Sequence, residues 1–255
     1  MSEEKPAEQF KLRNPPIVEA VYEIDCDLPP GLDLSKLETT ARDTFRPGYP
    51  QFQPQYIEQH KFETKANEPS VHTATRTLQA FRFFNDDMKQ LVQLRSQGYS
   101  FNRLPPYTIL EDYLPEIQRT WELFVEICSP IQIRAIRVRC VNRILLPFVE
   151  GHVELAEYFQ VSPRLPDNMS LQFTSFLNQH SAVESETGYQ VGIVLASQPV
   201  EKDNLPVILD ISVANSAPVS PEDWASISTQ LQSLRALQVR LFRNTLTETC
   251  LSLFS

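Results

Sequence analysis

The side chains best placed to do chemistry are three arginines on alternate positions of one segment. Ile131–Leu146 alternates so that Arg137, Arg139 and Arg143 share a face with Val141, while Ile136, Val138, Cys140 and Ile144 share the other. A guanidinium is a planar fork that grips a carboxylate or phosphate through parallel hydrogen bonds. The row can therefore hold an anionic ligand, or it can pair with acids on a neighbouring strand. Such cross-strand pairs are common, although each contributes only about 0.2–1 kcal/mol. Arg139 and Arg143 stand about 13 Å apart at ~3.3 Å per residue, too far to grip one carboxylate. Glu19 and Glu23 have the same four-residue spacing on the polar face of the first strand. The expectation is that Arg143 is at least partly buried and paired with an acid, Glu19 or Glu23 first. These five residues, Arg137, Arg139, Arg143, Glu19 and Glu23, are the candidate ligand or partner site.

Other chemistry is sparse. His60, His72, His152 and His180 have no metal-ligand spacing, and H-E-x-x-H is absent. Asp86-Asp87 and Glu111-Asp112 could bind a divalent cation, but a turn and a helix N-terminus explain them more simply. There is no G-x-S-x-G elbow, and no cysteine has an identifiable histidine partner. Cys26, Cys128, Cys140 and Cys250 are scattered without a C-x-x-C, which reads as reduced, buried thiols and not as a zinc site. No catalytic residue, metal or cofactor is expected. Phe81, Phe83 and Phe84 with Tyr99 and Phe101 could form a stacking platform for single-stranded nucleic acid. The net charge of −9 argues against that partner.

Composition bounds the class. The 255 residues are 42% hydrophobic and 22% charged, values that suit a globular core. With 20 prolines and only 6 glycines, stiff loops are favoured over glycine-rich phosphate loops. No apolar run approaches the ~18–20 residues that span a bilayer. The polar start, without an apolar h-region, gives no secretory signal, so a cytoplasmic protein is expected.

The elements that must position these residues come in a repeated order. Residues 1–13 read as a disordered tail. Ile17–Asp25 alternates as a half-buried strand, started by Pro15 and Pro16, with Val18, Ala20, Tyr22 and Ile24 on one face. A short helix over Leu34–Phe45 follows, then strands at Gln55–Thr64, Arg76–Asn85 and Leu91–Arg103, the last bent at Gly98. A long helix over Thr108–Cys128 carries an apolar stripe from Leu110 through Trp121 to Cys128, with a start or kink at Pro115. The second half repeats the order. The strand Ile131–Leu146 precedes a short helix at His152–Phe159 and strands at Ser170–Leu177, Tyr189–Ser197 and Pro206–Val213. The polar stretch Asn178–Gly188 reads as a hairpin loop. The last helix, capped by Ser220 and opened by Pro221, Glu222 and Asp223, runs to about Leu246. It packs on its own sheet in preference to forming a dimer seam. The fold expected is α+β: two similar β-α-β-β-β-α halves, 14–129 and 130–255, with antiparallel sheets each covered by a long helix, either separate or joined into one sheet across the Ile131–Leu146 strand.

Four segments together carry a resemblance. They are Asn14-Pro15-Pro16-Ile17-Val18-Glu19-Ala20-Val21-Tyr22-Glu23-Ile24, Val92-Gln93-Leu94 with Tyr107, Arg139-Cys140-Val141-Asn142-Arg143-Ile144, and Leu209-Asp210 followed by Phe242-Arg243-Asn244-Thr245-Leu246-Thr247. In that order the chain resembles a TIGR family of sporadically distributed, uncharacterised bacterial proteins. The resemblance implies a prokaryotic cytoplasmic protein of patchy occurrence, a distribution typical of mobile or defence-associated genes. It carries no catalytic residue or cofactor over.

The function expected is a non-enzymatic binding or accessory module. It would take a partner protein or ligand on a sheet face or in a groove between the halves, and a homodimer is compatible with it. The alternative is an enzyme of unrecognised type with a polar cleft around the long second-half strand.

Overall fold

A computed structural model describes residues 12–63, 71–166, 171 and 173–255. Among them are nine strands: β1 (Ile17–Asp27), β2 (Gln51–Glu63), β3 (Val71–Phe84), β4 (Gln90–Arg95), β5 (Gly98–Arg103), β6 (Gln132–Pro147), β7 (Leu177–Val183), β8 (Gln190–Ser197) and β9 (Asn204–Asn215). They form one sheet in the order β2-β3-β4-β5-β1-β6-β9-β8-β7, antiparallel throughout. The helices are α1 (Glu38–Phe45), α2 (Leu110–Cys128), α3 (Trp224–Thr245) and α4 (Glu248–Ser252).

The molecule is therefore α+β with a single large antiparallel sheet, in which the strands of the two halves join across β6. The seam is β1 against β6, with Ala20 opposite Cys140 and Tyr22 opposite Val138. Both strands place their apolar positions on the same side, so pairing them extends one buried face. That face is covered by helices. One cluster unites Ile117, Trp121 and Phe124 of α2 with Tyr22, Ile24, Tyr99 and Phe101 of the sheet and with Ile227, Leu231 and Leu234 of α3. The Trp121 Nε1–H donates to the Pro221 carbonyl at 2.9 Å, tying α2 to the entry of α3. A second cluster gathers Ile144, Leu146, Leu209, Phe242, Leu246, Cys250 and Phe254. Helix α3, the long helix of the second half, thus packs on the sheet, against β6 and β9, as expected.

Several local expectations are corrected. Leu91–Arg103 is not one bent strand but the hairpin β4–β5, closed by Ser96 and Gln97 with Arg95 opposite Gly98. Gly98 lies at φ +140°, and a Cβ there would stand 2.2 Å from the Ile24 carbonyl oxygen. Only glycine allows β5 to start so close to β1. The first half thus has five strands and the second four. Asn178–Gly188 is not all loop: β7 occupies Leu177–Val183 and is exposed on both faces, so it lacks the apolar alternation that marks a half-buried strand. The expected strand Ser170–Leu177 falls partly outside the described residues, and 173–176 form no strand. The segment expected as the short helix His152–Phe159 holds only a 3-10 turn at Leu155–Glu157. Asp223, not Ser220, caps α3, accepting from the Ser226 amide at 3.0 Å, while the Ser220 hydroxyl donates to Glu222. Helix α2 starts five residues before Pro115 and runs through it. Of the expected tail, 1–11 lie outside the described residues, and Leu12 packs against the second cluster.

Candidate functional site

The strands' other face carries the candidate residues. In β6 the side facing the helices is Ile136, Val138, Cys140 and Ile144, all buried, and the opposite side holds Arg137, Arg139, Val141 and Arg143. On β1 the corresponding open-face residues are Glu19, Val21, Glu23 and Asp25. Helices α2 and α3 both pack on the first side, so among the described residues no helix packs over this one.

At its centre the open face is a lattice of directed charge pairs. Glu23 is held from both sides: its Oε1 accepts from Arg95 of β4 at 3.1 Å and its Oε2 from Arg137 of β6 at 2.7 Å. Arg95 also donates to Asp25 at 2.7 Å and to the Tyr99 carbonyl at 3.0 Å. To reach β1 it must cross β5, and it does so over Gly98, its opposite in register, which presents no side chain. Next to this group lies a neutral chain. Asn102 donates to Glu19 at 2.7 Å and accepts from Gln93 and from Ser100, each at 3.1 Å. Ser100 and Asn102 are buried although they point away from the helices, because the longer side chains around them close over them.

Arg139 turns to β9, where Nε lies 2.9 Å from both carboxylate oxygens of Asp210 and Nη2 2.5 Å from Oδ2. The Asp210 hydrogen bonds raise the already high Arg139 pKa further, against the opposing effect of burial. Arg143 donates to Gln198 at 2.9 Å and to Glu201, whose carboxyl the guanidinium holds below its ordinary range.

The expectation for Arg143 is thus half met. It is 33% exposed and paired with an acid, but the acid is Glu201, not Glu19 or Glu23. The register explains this: Glu23 lies opposite Arg137 and Val21 opposite Arg139, so Arg143 falls beyond the start of β1. There its amide meets the Pro16 carbonyl at 2.8 Å. The register thus puts Pro16, not a glutamate, across from Arg143. Glu23 and Arg137 come together, while Arg139, Arg143 and Glu19 each go to other partners. Sequence reasoning missed Arg95, Asp25, Asp210, Asn102, Gln198 and Glu201. Of these, Asp210 was findable, since strand alternation puts it on the face opposite Leu209 and Ile211.

Beside Arg137 the open face dips into a depression of about 620 Å³. Its floor is built from small residues of β7, β8 and β9: Ser181, Gly192, Ser212 and Ala214. Gly192 makes room here, because a Cβ in its place would stand 2.7 Å from the Ser212 hydroxyl. Arg137 and Gln190 provide donors at its wall.

Other candidates resolve differently. Phe81, Phe83, Tyr99 and Phe101 are buried under the helices, so these four rings are core, while Phe84 is half-buried. Asp87 accepts from the Lys89 amide at 2.8 Å as a turn residue, and Glu111 and Asp112 occupy the first turn of α2. The side chains of His60 and His72 lie outside the described residues. Among the described residues no group of three or more His, Cys, Asp or Glu could hold a metal ion, and no helix is long and apolar enough to cross a membrane. Burial pushes the Cys26, Cys128 and Cys250 thiols up to about 12, and that of Cys140 up as well. No family model matches the chain, and no curated protein matches it either.

Proposed function

We propose that the chain is a non-enzymatic binding module of a prokaryotic cytoplasmic system, with a defence-associated system as the setting its resemblance suggests. The open face of the sheet receives a partner protein or ligand, and the Arg137 depression is the centre of that surface. The observation that carries this reading is the division of labour on β6. One side is fully committed to the core, and the other displays fixed polar groups away from both long helices. A depression of a few hundred Å³ with small residues on its floor and donors at its wall is of a size that takes a small ligand or a protruding side chain.

The alternative, an enzyme with its cleft around β6, uses the same surface. Arg137, Arg139 and Arg143 are each engaged by a carboxylate, which suits a rigid docking surface better than a reaction centre. We also read the two halves as versions of one unit. In each, the opening strand flanks the seam and the last strand of the half lies beside it, with a long helix following.

The binding reading is tested in cells with a photo-crosslinking amino acid placed at Gln190 on the open face and, separately, at Gln232, an exposed position of α3. A defined adduct at Gln190 that disappears when Ser212→Trp fills the depression is the expected result. Adducts from Gln232 alone, or a Gln190 adduct indifferent to Ser212→Trp, would remove the open-face site.

A further inference from the structure

The two edges of the sheet are built differently. Edge strand β2 carries Pro54, which cannot donate to a ladder, a register shift between Gln55 and Tyr56, and the charged Glu58. Edge strand β7, Leu177–Val183, has no proline, glycine, lysine or acid and no register shift. Its Leu177 and Val183 are 70% and 64% exposed. An uncharged, regular, exposed edge is the kind that takes another strand.

The direction of its free groups follows from the ladder with β8. The Glu184 amide bonds the Tyr189 carbonyl at 2.9 Å, and the Ser197 amide bonds the Phe176 carbonyl at 3.1 Å. Positions 176 and 184 therefore point at β8, and by alternation so do Asn178, His180 and Ala182. The amides and carbonyls of Leu177, Gln179, Ser181 and Val183 point outward. Among the described residues no strand lies beyond them.

We propose that this edge pairs with the same edge of a second copy, antiparallel, about a two-fold axis at His180. The order Leu-Asn-Gln-His-Ser-Ala-Val is self-complementary in that register. Leu177 of one copy faces Val183 of the other, and Gln179 faces Ser181, so apolar meets apolar and polar meets polar on the open face. All four outward-facing residues fall at hydrogen-bonded positions, and His180 falls at a non-bonded one, as the alternation requires. No like carboxylates or lysines are opposed, which most charged edges could not avoid when paired with themselves. The two-fold is perpendicular to the sheet, so the open faces of both copies look the same way. The contact is small, which places it among weak interfaces. This inference stands independently of what the open face binds.

Sedimentation velocity on the full chain tests it, from about 5 to about 200 µM, the range that brackets a weak interface. A reversible monomer–dimer equilibrium is expected. Ser181→Pro deletes an outward amide that β8 does not use, so the dimer is lost while the circular dichroism and Tm stay unchanged. Gln179→Lys, which adds like charges near the axis without touching the backbone, also removes the dimer. His180→Cys, oxidised with glutathione disulfide as electron acceptor, forms a disulfide-linked dimer across the axis, and the four native cysteines are buried and do not compete. A chain monomeric at the top concentration overturns the proposal. So does a dimer that survives both Ser181→Pro and Gln179→Lys, or one in which His180→Cys fails to cross-link.

Discussion

The two faces of β6 are made from the same sixteen residues and are held by different physics. On the helix side, Ile136, Val138 and Ile144 are fully buried among apolar neighbours, the first two in the cluster that both long helices enter, and what matters is volume and shape. On the open side, Arg137 and Arg139 are held by directed hydrogen bonds to Glu23 and Asp210, and what matters is register. A slip of β1 against β6 by two residues would leave each side chain on the face it now occupies. It would separate Glu23 from Arg137. The core thus defines which face is inside, and the polar face defines the alignment.

Substitutions can break that contrast, and the largest effect belongs to the core. Trp121→Ala removes a buried indole and leaves the Pro221 carbonyl without its donor. A loss of about 3–5 kcal/mol is expected in urea unfolding, and a loss below about 1 kcal/mol would show that shape does not dominate this face. Gly98→Ala strikes both faces, because its Cβ would meet the Ile24 carbonyl while the backbone is held at positive φ. About 2–3 kcal/mol is expected from the strain, measured the same way. On the open face alone, Glu23→Gln weakens the bridge to Arg95 and Arg137 and should cost about 1–3 kcal/mol. The Arg139–Asp210 pair is more exposed, so a double-mutant cycle should give a coupling of only about 0.5–1 kcal/mol, reduced by salt.

The contrast sharpens with pH at the margin of the core, where Tyr49 and Arg119 hold Glu116. Burial pushes this carboxyl up, but hydrogen bonds from Arg119 and Tyr49 outweigh it and hold the folded-state value below the ordinary one. A lowered folded pKa means stability that is present above the unfolded pKa and lost as pH falls through the folded one. Unfolding free energies from about pH 6 to about pH 3 should therefore decline less steeply in Glu116→Gln than in the parent. An identical slope would show that the triad contributes nothing to acid sensitivity. The smallest effect expected is none: a thiol reagent at neutral pH should leave all four buried cysteines unmodified until the chain is unfolded.

What the sequence made legible follows from burial. Strand β6 and helix α2 each bury one clear stripe, and both were readable from periodicity because one-sided burial is what periodicity records. Strand β7 buries neither face, so Asn178, Gln179, His180 and Ser181 look like loop residues in the one-dimensional pattern. The β4–β5 hairpin was hidden because Ser96 and Gln97 carry no strong turn signal and Gly98 read as a bend. At the site, the polarity of Arg137, Arg139, Glu19 and Glu23 and the face they share were visible, but their partners were not. Pairing depends on strand order and register, and the acid that meets Arg143 comes from the β8–β9 connection, 58 residues away in the chain.

The β1–β6 seam also bears on the order of assembly. Glu23 and Arg137 are 114 residues apart, and closing so long a loop is costly before other contacts support it. Strands β1 to β5 can pair with one another without it, since β1 borders β5 on its other side. During synthesis from the N-terminus, that five-stranded sheet can form while Gln132–Pro147 is still unmade. One flank of β1 then stays a row of bare amides and carbonyls, open to the wrong strand, until β6 emerges to claim it. On that order the second half would be laid down against a template already folded, and the interval between the two would leave the nascent chain exposed to mispairing.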